Sequence, residues 1–153
     1  MIVVSDTSPI TALLIIQQID LLARLYGEVK IPPAVADELL AYHTKLPDFI
    51  QTIPVTPGPL LDQLNRQLDR GEAEAIVLAK DLHADLLLID ESLGREAARH
   101  EHLPVIGLMG VLLIAKKKGL VASLRDLIER LETGAGFYLS RPVKEKVLSA
   151  AGE

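Results

Sequence analysis

Short apolar runs that end in a carboxylate constrain the fold of this chain more than any other feature. Residues 2–5 lead directly into Asp6, and residues 86–89 lead directly into Asp90. Helical patterns separate these and further strand-like runs, and strands that alternate with helices predict right-handed crossovers between parallel strands. We therefore expect a three-layer α/β/α sandwich around a central parallel sheet of about five strands. Ligands bind beyond the carboxyl ends of such strands, where Asp6 and Asp90 should converge.

The hydrophobic pattern and the turn residues divide the chain into alternating strands and helices. Predicted strands cover residues 1–5, 29–31, 50–55, 86–89 and 103–106. The first predicted helix begins at the Thr7-Ser8-Pro9 start signal. Further predicted helices cover 21–27, 33–43, 60–68, 71–82, 92–100, 110–118 and 121–131, and a short final element follows Gly136. No internal repeat or linker interrupts this order, so residues 1–153 should form a single domain.

Composition narrows the class of protein. The chain has 49% hydrophobic residues, no cysteine and no apolar run of membrane-spanning length, which predicts a cytoplasmic globular domain. The N-terminus lacks the basic segment of a secretory signal. A net charge of −5 argues mildly against a general electrostatic grip on nucleic acid. A site built from carboxylates would itself account for most of that charge, so a nucleic-acid substrate is not excluded.

The helix predicted at 33–43 carries one acid that should face inward. Val35, Leu39 and Tyr42 form its apolar stripe, and helical spacing places Glu38 at the edge of this stripe and Asp37 on the opposite face. A glutamate beside an apolar stripe loses hydration unless it has a partner such as a cation. The alternative is a side chain that extends from the stripe edge into solvent.

Gly71 opens a second acidic helix, predicted at 71–82. Glu72 and Glu74 lie on opposite sides of its buried stripe, and the geometry favours Glu72 only slightly as an inward-facing acid. The strand-end acids are ambiguous as well. Asp6 and the Asp90-Glu91 pair could each be helix caps. If Asp6 is a functional group, we expect hydrogen bonds from Thr7 and Ser8 to orient its oxygens.

Converged carboxylates suit Mg²⁺ or Mn²⁺, which prefer oxygen ligands, and a pair of such ions can activate water for phosphodiester hydrolysis. The four histidines lack metal-ligand spacing, and no glycine-rich phosphate loop follows the first strand. Ser8 stands where a phosphatase of the haloacid dehalogenase type would need a second aspartate. Arg95 is the better candidate for a phosphate contact, because Lys117 and Lys118 suit a helix C-terminus.

Together these motifs resemble a known family. The chain is similar to PIN domains, the ribonuclease fold of the VapC-type toxins, and most closely to the DUF3368 group. The resemblance covers about residues 1–135 and is carried by residues 4–10, 31–35 with Glu38, 71–79, 88–91 with Gly94, Arg95 and Ala98, 105–107, Ala115-Lys116 and Gly119-Leu120.

The resemblance implies a metal-dependent nuclease site made of Asp6, Glu38, Glu72 and Asp90. Glu72 is preferred over Glu74 because Ala79, seven residues later, reproduces the offset common in the family. Ser8, Glu74 and Glu91 are then supporting or alternative ligands, and Arg95 binds substrate.

The implied activity is that of an Mg²⁺- or Mn²⁺-dependent endoribonuclease, the toxin of a toxin–antitoxin pair, with RNA as substrate. The expected partners are an antitoxin protein and a second copy of the chain in a homodimer. The alternative is an inactive PIN-fold module that binds RNA or a partner protein without cutting.

Overall fold

Five short parallel strands form the centre of the protein, as the sequence predicts. The computed structural model describes residues 1–153. The strands are β1 (Val3–Ser5), β2 (Val29–Ile31), β3 (Ile50–Thr52), β4 (Leu86–Leu88) and β5 (Val105–Ile106). They pair in the order β3-β2-β1-β4-β5, and every pairing is parallel. β1 therefore lies in the middle, with β4 beside it.

Nine helices connect and flank the strands. They are α1 (Thr7–Ile15), α2 (Asp20–Tyr26), α3 (Pro33–Tyr42), α4 (Pro59–Asn65), α5 (Arg70–Asp81), α6 (Ser92–His100), α7 (Leu108–Lys117), α8 (Leu124–Gly134) and α9 (Arg141–Ala150). No helix combines the length and the apolar character needed to cross a bilayer. The expected α/β sandwich is confirmed.

The element boundaries differ from the predicted ones at a few ends. α8 begins at Leu124 because the Ser123 side chain caps it by accepting from the amide of Asp126. The final element is a helix of ten residues, capped in the same way by Ser140. Both starts use the side-chain cap that serine favours, a signal that the sequence interpretation did not use at these positions.

Alternating side chains on the central strands fill a separate core on each face of the sheet. Val3 and Leu88 belong to the core built with α1, α2, α3, α7, α8 and α9. Val4 and Leu87 belong to the core built with α4, α5 and α6. This period-two alternation between strand faces produces the three layers.

More of α5 is buried than the apolar stripe predicted from its sequence. All residues from Gly71 to Ala79 are buried, because α3, α4, α6, β1 and β4 surround this helix. A helix surrounded on all sides loses the solvent face on which a stripe model places charged residues. Glu72 and Glu74 are consequently both buried, with 6% and 7% of their surface exposed.

Candidate active site

The centre of the sheet creates the crevice in which the site lies. The chain places β2 and β3 on one side of β1, then crosses over to place β4 and β5 on the other side. Helices leave the sheet in opposite directions at such a switch point, so a crevice opens beyond the strand ends. Asp6 directly follows β1, and Asp90 follows β4 by one intervening residue.

Asp6 is a buried carboxylate with several acidic neighbours. It occupies the cap position of α1, but its side chain makes no capping hydrogen bond, so the cap interpretation is wrong for this residue. Burial raises its pKa from 3.8 to about 7. The Thr7 backbone amide offsets part of this rise, and the charges of Asp69, Glu38 and Asp90 add to it. The charged form of Asp6 is therefore unfavourable in the metal-free protein, chiefly because it is buried.

Glu38 reaches the same crevice from α3. Asp37 is exposed and Glu38 is only partly exposed, as the helical pattern predicts. The Thr7 hydroxyl donates to Glu38 Oε2 at 2.5 Å and fixes this carboxylate. A Cβ atom on Gly71 would lie 2.8 Å from Glu38 Oε1 and 3.3 Å from Asp6 Oδ1. Both carboxylates thus lie within 3.3 Å of one point, and only a glycine at 71 leaves them that space.

Asp90 is anchored on the other side of Asp6. Its Oδ1 accepts from the amide of Leu108 at 2.8 Å, and its Oδ2 accepts from the Ser8 hydroxyl at 3.1 Å. Burial raises the pKa of Asp90, and these two hydrogen bonds and the Arg95 charge offset part of the rise. Thr7 orients Asp6 through its backbone amide, whereas the hydroxyls of Thr7 and Ser8 hold Glu38 and Asp90 instead, so the expected contribution of Ser8 to Asp6 is wrong.

Arg95 lies beside Asp90 but is tied to the main chain. Its Nη1 donates to the carbonyl oxygen of Ile89 at 3.0 Å, and no ion pair joins it to Asp90 within 4.0 Å. The remaining guanidinium nitrogens have no hydrogen-bond partner in the protein. Arg95 therefore influences the pKa of Asp90 through its charge, and its other guanidinium N–H groups remain available as donors.

Asp69 and Glu72 form a reciprocal cap at the start of α5. The amide of Glu72 donates to Asp69 Oδ1 at 2.8 Å, and the amide of Asp69 donates to Glu72 Oε1 at 3.4 Å. This arrangement turns the Asp69 side chain toward the crevice, where it lies on the wall. Asp69 was not predicted as a site residue. The spacing of an acid three residues before a glutamate is visible in the sequence, but it indicates a cap and not a site.

Glu72 lies deeper than Asp69 and is partly unsatisfied. Its Oε2 is buried without a hydrogen-bond partner. A Cβ atom on Gly94 would lie 2.7 Å from that oxygen, so glycine at this position of α6 leaves room for it. Burial, together with the neighbouring Asp69 and Asp6, raises the pKa of Glu72 to about 8. An orphaned, buried carboxylate oxygen next to Asp6 calls for a proton or a cation.

Glu74 and Glu91 have different surroundings. Glu74 accepts from the amide of Ala34 and from Arg70 Nε, both at 3.0 Å, and so ties α5 to the first turn of α3. Both of its oxygens are engaged in this tie, away from the crevice wall. Glu91 is exposed at the start of α6 and lines the crevice. The structure thus places Glu91, but not Glu74, on the crevice surface.

The crevice has a volume of about 490 Å³ and an acidic wall. Four acids, three hydroxyl residues and one aromatic line it, with no lysine or arginine among them: Asp6, Thr7, Ser8, Thr11, Glu38, Tyr42, Asp69 and Glu91. A larger cleft of about 800 Å³ lies near the C-terminus. Its charged side chains include ion pairs such as Arg141–Glu145, and it has no buried, unpaired acid cluster. The acidic crevice is therefore the better candidate site.

The acids of the crevice fit a divalent cation, although they do not form a finished cage. No group of three metal-binding side chains is close enough to be a preassembled site. None of the six ion pairs in the protein includes Asp6, Glu38, Asp69 or Asp90. Mg²⁺ usually keeps several waters and needs only one or two protein carboxylates. The unpaired acids and the orphaned Glu72 oxygen match that requirement.

Comparison with known proteins agrees with this architecture. The family model described as DUF3368, a PIN domain, matches residues 2–153. Neither a curated protein nor a solved structure gives a match to the chain. PIN domains have a nuclease-type fold, and members of the family are generally nucleases that use divalent metals. With the match spanning nearly its whole length, the chain belongs to the DUF3368 family of PIN domains.

Proposed function

We propose that this protein is an Mg²⁺- or Mn²⁺-dependent endoribonuclease that hydrolyses RNA phosphodiester bonds in the acidic crevice. One observation carries the proposal: a carboxylate with a pKa raised to about 7 stands among three further acids, and no cationic side chain is paired with any of them. An arrangement that stores uncompensated negative charge is destabilising on its own, and a bound cation relieves it.

Asp6 and Glu38 are the proposed primary ligands. Their oxygens share the space above Gly71, and Thr7 holds Glu38 in place through its hydroxyl. When bound, a divalent cation lowers the pKa of water and neutralises charge on the phosphate. The buried position of Asp6 limits competition from bulk water.

The other acids complete the proposed site at different depths. Asp69 presents a third carboxylate on the crevice wall, and Glu72 lies beneath it with one free oxygen. Asp90 supplies negative charge from behind Ser8, while its two hydrogen bonds keep it in position. Glu91 extends the acidic wall on the side of α6. Arg95 is the proposed phosphate contact, through the guanidinium nitrogens that Ile89 leaves free.

The biological setting is a further part of the proposal. The family resemblance supports a toxin that an antitoxin protein restrains and that forms a homodimer. On α7 and α8, Val111, Leu112, Leu127 and Ile128 are buried in the protein's own core and cannot contribute to a dimer interface, whereas Ile114 of α7 is exposed. Light scattering tests the dimer, and a monomer at working concentration would contradict it.

An inactive module that binds RNA or protein is the second candidate, and the absence of a preassembled three-acid site favours it. Cleavage of a mixed RNA panel with Mn²⁺, and with EDTA in parallel, separates the two. We expect cleavage that EDTA abolishes and that the Asp6→Asn, Asp90→Asn double variant loses. Asp37→Asn is the matched control, because Asp37 is exposed on α3. Metal binding without any cleavage would support the inactive module.

A further inference from the structure

The rim of the acidic crevice carries one aromatic side chain, Tyr42, at the end of α3. Its surface is 86% exposed, and it belongs to neither hydrophobic core. A single exposed aromatic is ordinary on a protein surface. Tyr42 differs because it lines the same crevice as Asp6 and Glu38. Tyr138, which is 84% exposed, lines the separate cleft near the C-terminus.

The helix fixes the spacing between Tyr42 and the carboxylates. Tyr42 follows Glu38 by four positions, so both side chains lie on one face of α3, about 6 Å apart along its axis. The next residue, His43, is hydrogen-bonded through Nε2 to the Thr11 hydroxyl at 2.8 Å. This bond joins the end of α3 to α1 and to the crevice wall. The backbone of Tyr42 is thus held while its ring stays free.

The residues of the crevice wall favour binding of RNA by base stacking over electrostatic binding of its phosphates. No lysine or arginine lines the crevice, so phosphates gain little electrostatic attraction there beyond what bound cations and the nearby Arg95 provide. Unpaired bases of single-stranded RNA stack on aromatic side chains without sequence preference. Bases inside a duplex are already stacked and do not present a free face. An exposed ring about one helical turn from Glu38 suits a base next to the scissile phosphate.

We propose that Tyr42 is a stacking platform for an unpaired base beside the cleaved bond, so that its removal weakens the use of single-stranded RNA more than that of duplex RNA. This inference rests on the proposed function. Tyr42 is a positioning residue in this account, and the acids remain the groups that would act on the phosphate. The ring and not the hydroxyl is what matters, so phenylalanine should substitute for it.

The test compares Tyr42→Ala with Tyr42→Phe, and uses Tyr138→Ala as an exposed aromatic control. Steady-state cleavage is measured on a single-stranded oligoribonucleotide and on the same sequence in a perfect duplex. Stacking is worth roughly 1–3 kcal/mol per base, so Tyr42→Ala should raise KM for the single strand by about 5- to 150-fold. Its kcat should change much less, and Tyr42→Phe and Tyr138→Ala should stay close to wild type.

A second readout does not need turnover. Fluorescence of 2-aminopurine in the single strand, recorded immediately after mixing with Ca²⁺ in place of Mn²⁺, should be quenched on binding to wild type and to Tyr42→Phe but not to Tyr42→Ala. Unchanged KM and quenching in Tyr42→Ala would overturn the inference, and so would equal losses in Tyr42→Phe. Absence of RNA cleavage by the wild type would overturn the proposed function instead, while the quenching assay would still decide the role of Tyr42.

Discussion

Asp6→Asn should change how the stability of the metal-free protein depends on pH. Burial and acidic neighbours raise the pKa of Asp6 from 3.8 to about 7, a difference worth about 4 kcal/mol. The raised pKa lowers the stability of the folded protein at pH values where the carboxyl group of the unfolded chain is ionised. Below about pH 4 the folded and unfolded states both hold the proton, so this destabilisation is absent. It develops as pH rises from about 4 to 7, because the unfolded chain ionises first, and it is complete above pH 7.

Asparagine keeps the shape of the side chain but cannot ionise, so the variant should escape this loss. Unfolding by urea with EDTA present, at pH 5 and at pH 8, gives the two free energies of unfolding. The difference between Asp6→Asn and wild type should shift by about 2.5 kcal/mol in favour of the variant between these pH values. Asp37→Asn, an exposed acid on α3, should show no such shift. A difference that is the same at both pH values would refute the assigned environment of Asp6.

Three further changes test the supporting structure. Gly94→Ala places a Cβ atom 2.7 Å from Glu72 Oε2 and from Ile89 Cδ1, and should lower the free energy of unfolding by about 1–3 kcal/mol, whereas Gly58→Ala, in open space, should not. Glu74→Ala leaves the amide of Ala34 without its partner and should cost about 1–3 kcal/mol in urea unfolding without changing Mn²⁺ affinity. Glu153→Gln should lower the melting temperature at pH 7, and the difference should shrink as pH falls from about 4.5 toward 2, because backbone amides lower the pKa of Glu153 to about 2.

Local patterns in the sequence were sufficient to predict the parallel sheet and the positions of several acids of the crevice region. Alternation of strands and helices fixes the parallel sandwich, and strand-end position indicates Asp6 and Asp90. Helical spacing alone distinguishes Glu38 from Asp37, because one side of α3 faces the protein and the other faces water. These inferences depend only on periodicity within one element, which the sequence displays directly.

Other parts of the site depend on contacts between elements that are distant in sequence. The hydroxyls of Thr7 and Ser8 donate to Glu38 and Asp90 because α3 and the end of β4 approach α1. Asp69 faces the crevice because its cap with Glu72 sets its direction. Glu74 is buried because α3 covers α5 at that point. The pattern of residues within a single helix does not predict these contacts between elements.

Binding of Mn²⁺ in the absence of RNA is the most direct test of the central claim that the acidic crevice holds a divalent cation. Calorimetric titration should show binding to wild type at or below millimolar concentration, with affinity lost in Asp6→Asn and in Glu38→Gln and kept in the neighbouring control Asp37→Asn. Asp69→Asn should weaken binding to an intermediate degree. Equal affinity in Asp6→Asn and wild type, or no binding to wild type at millimolar Mn²⁺, would contradict the account.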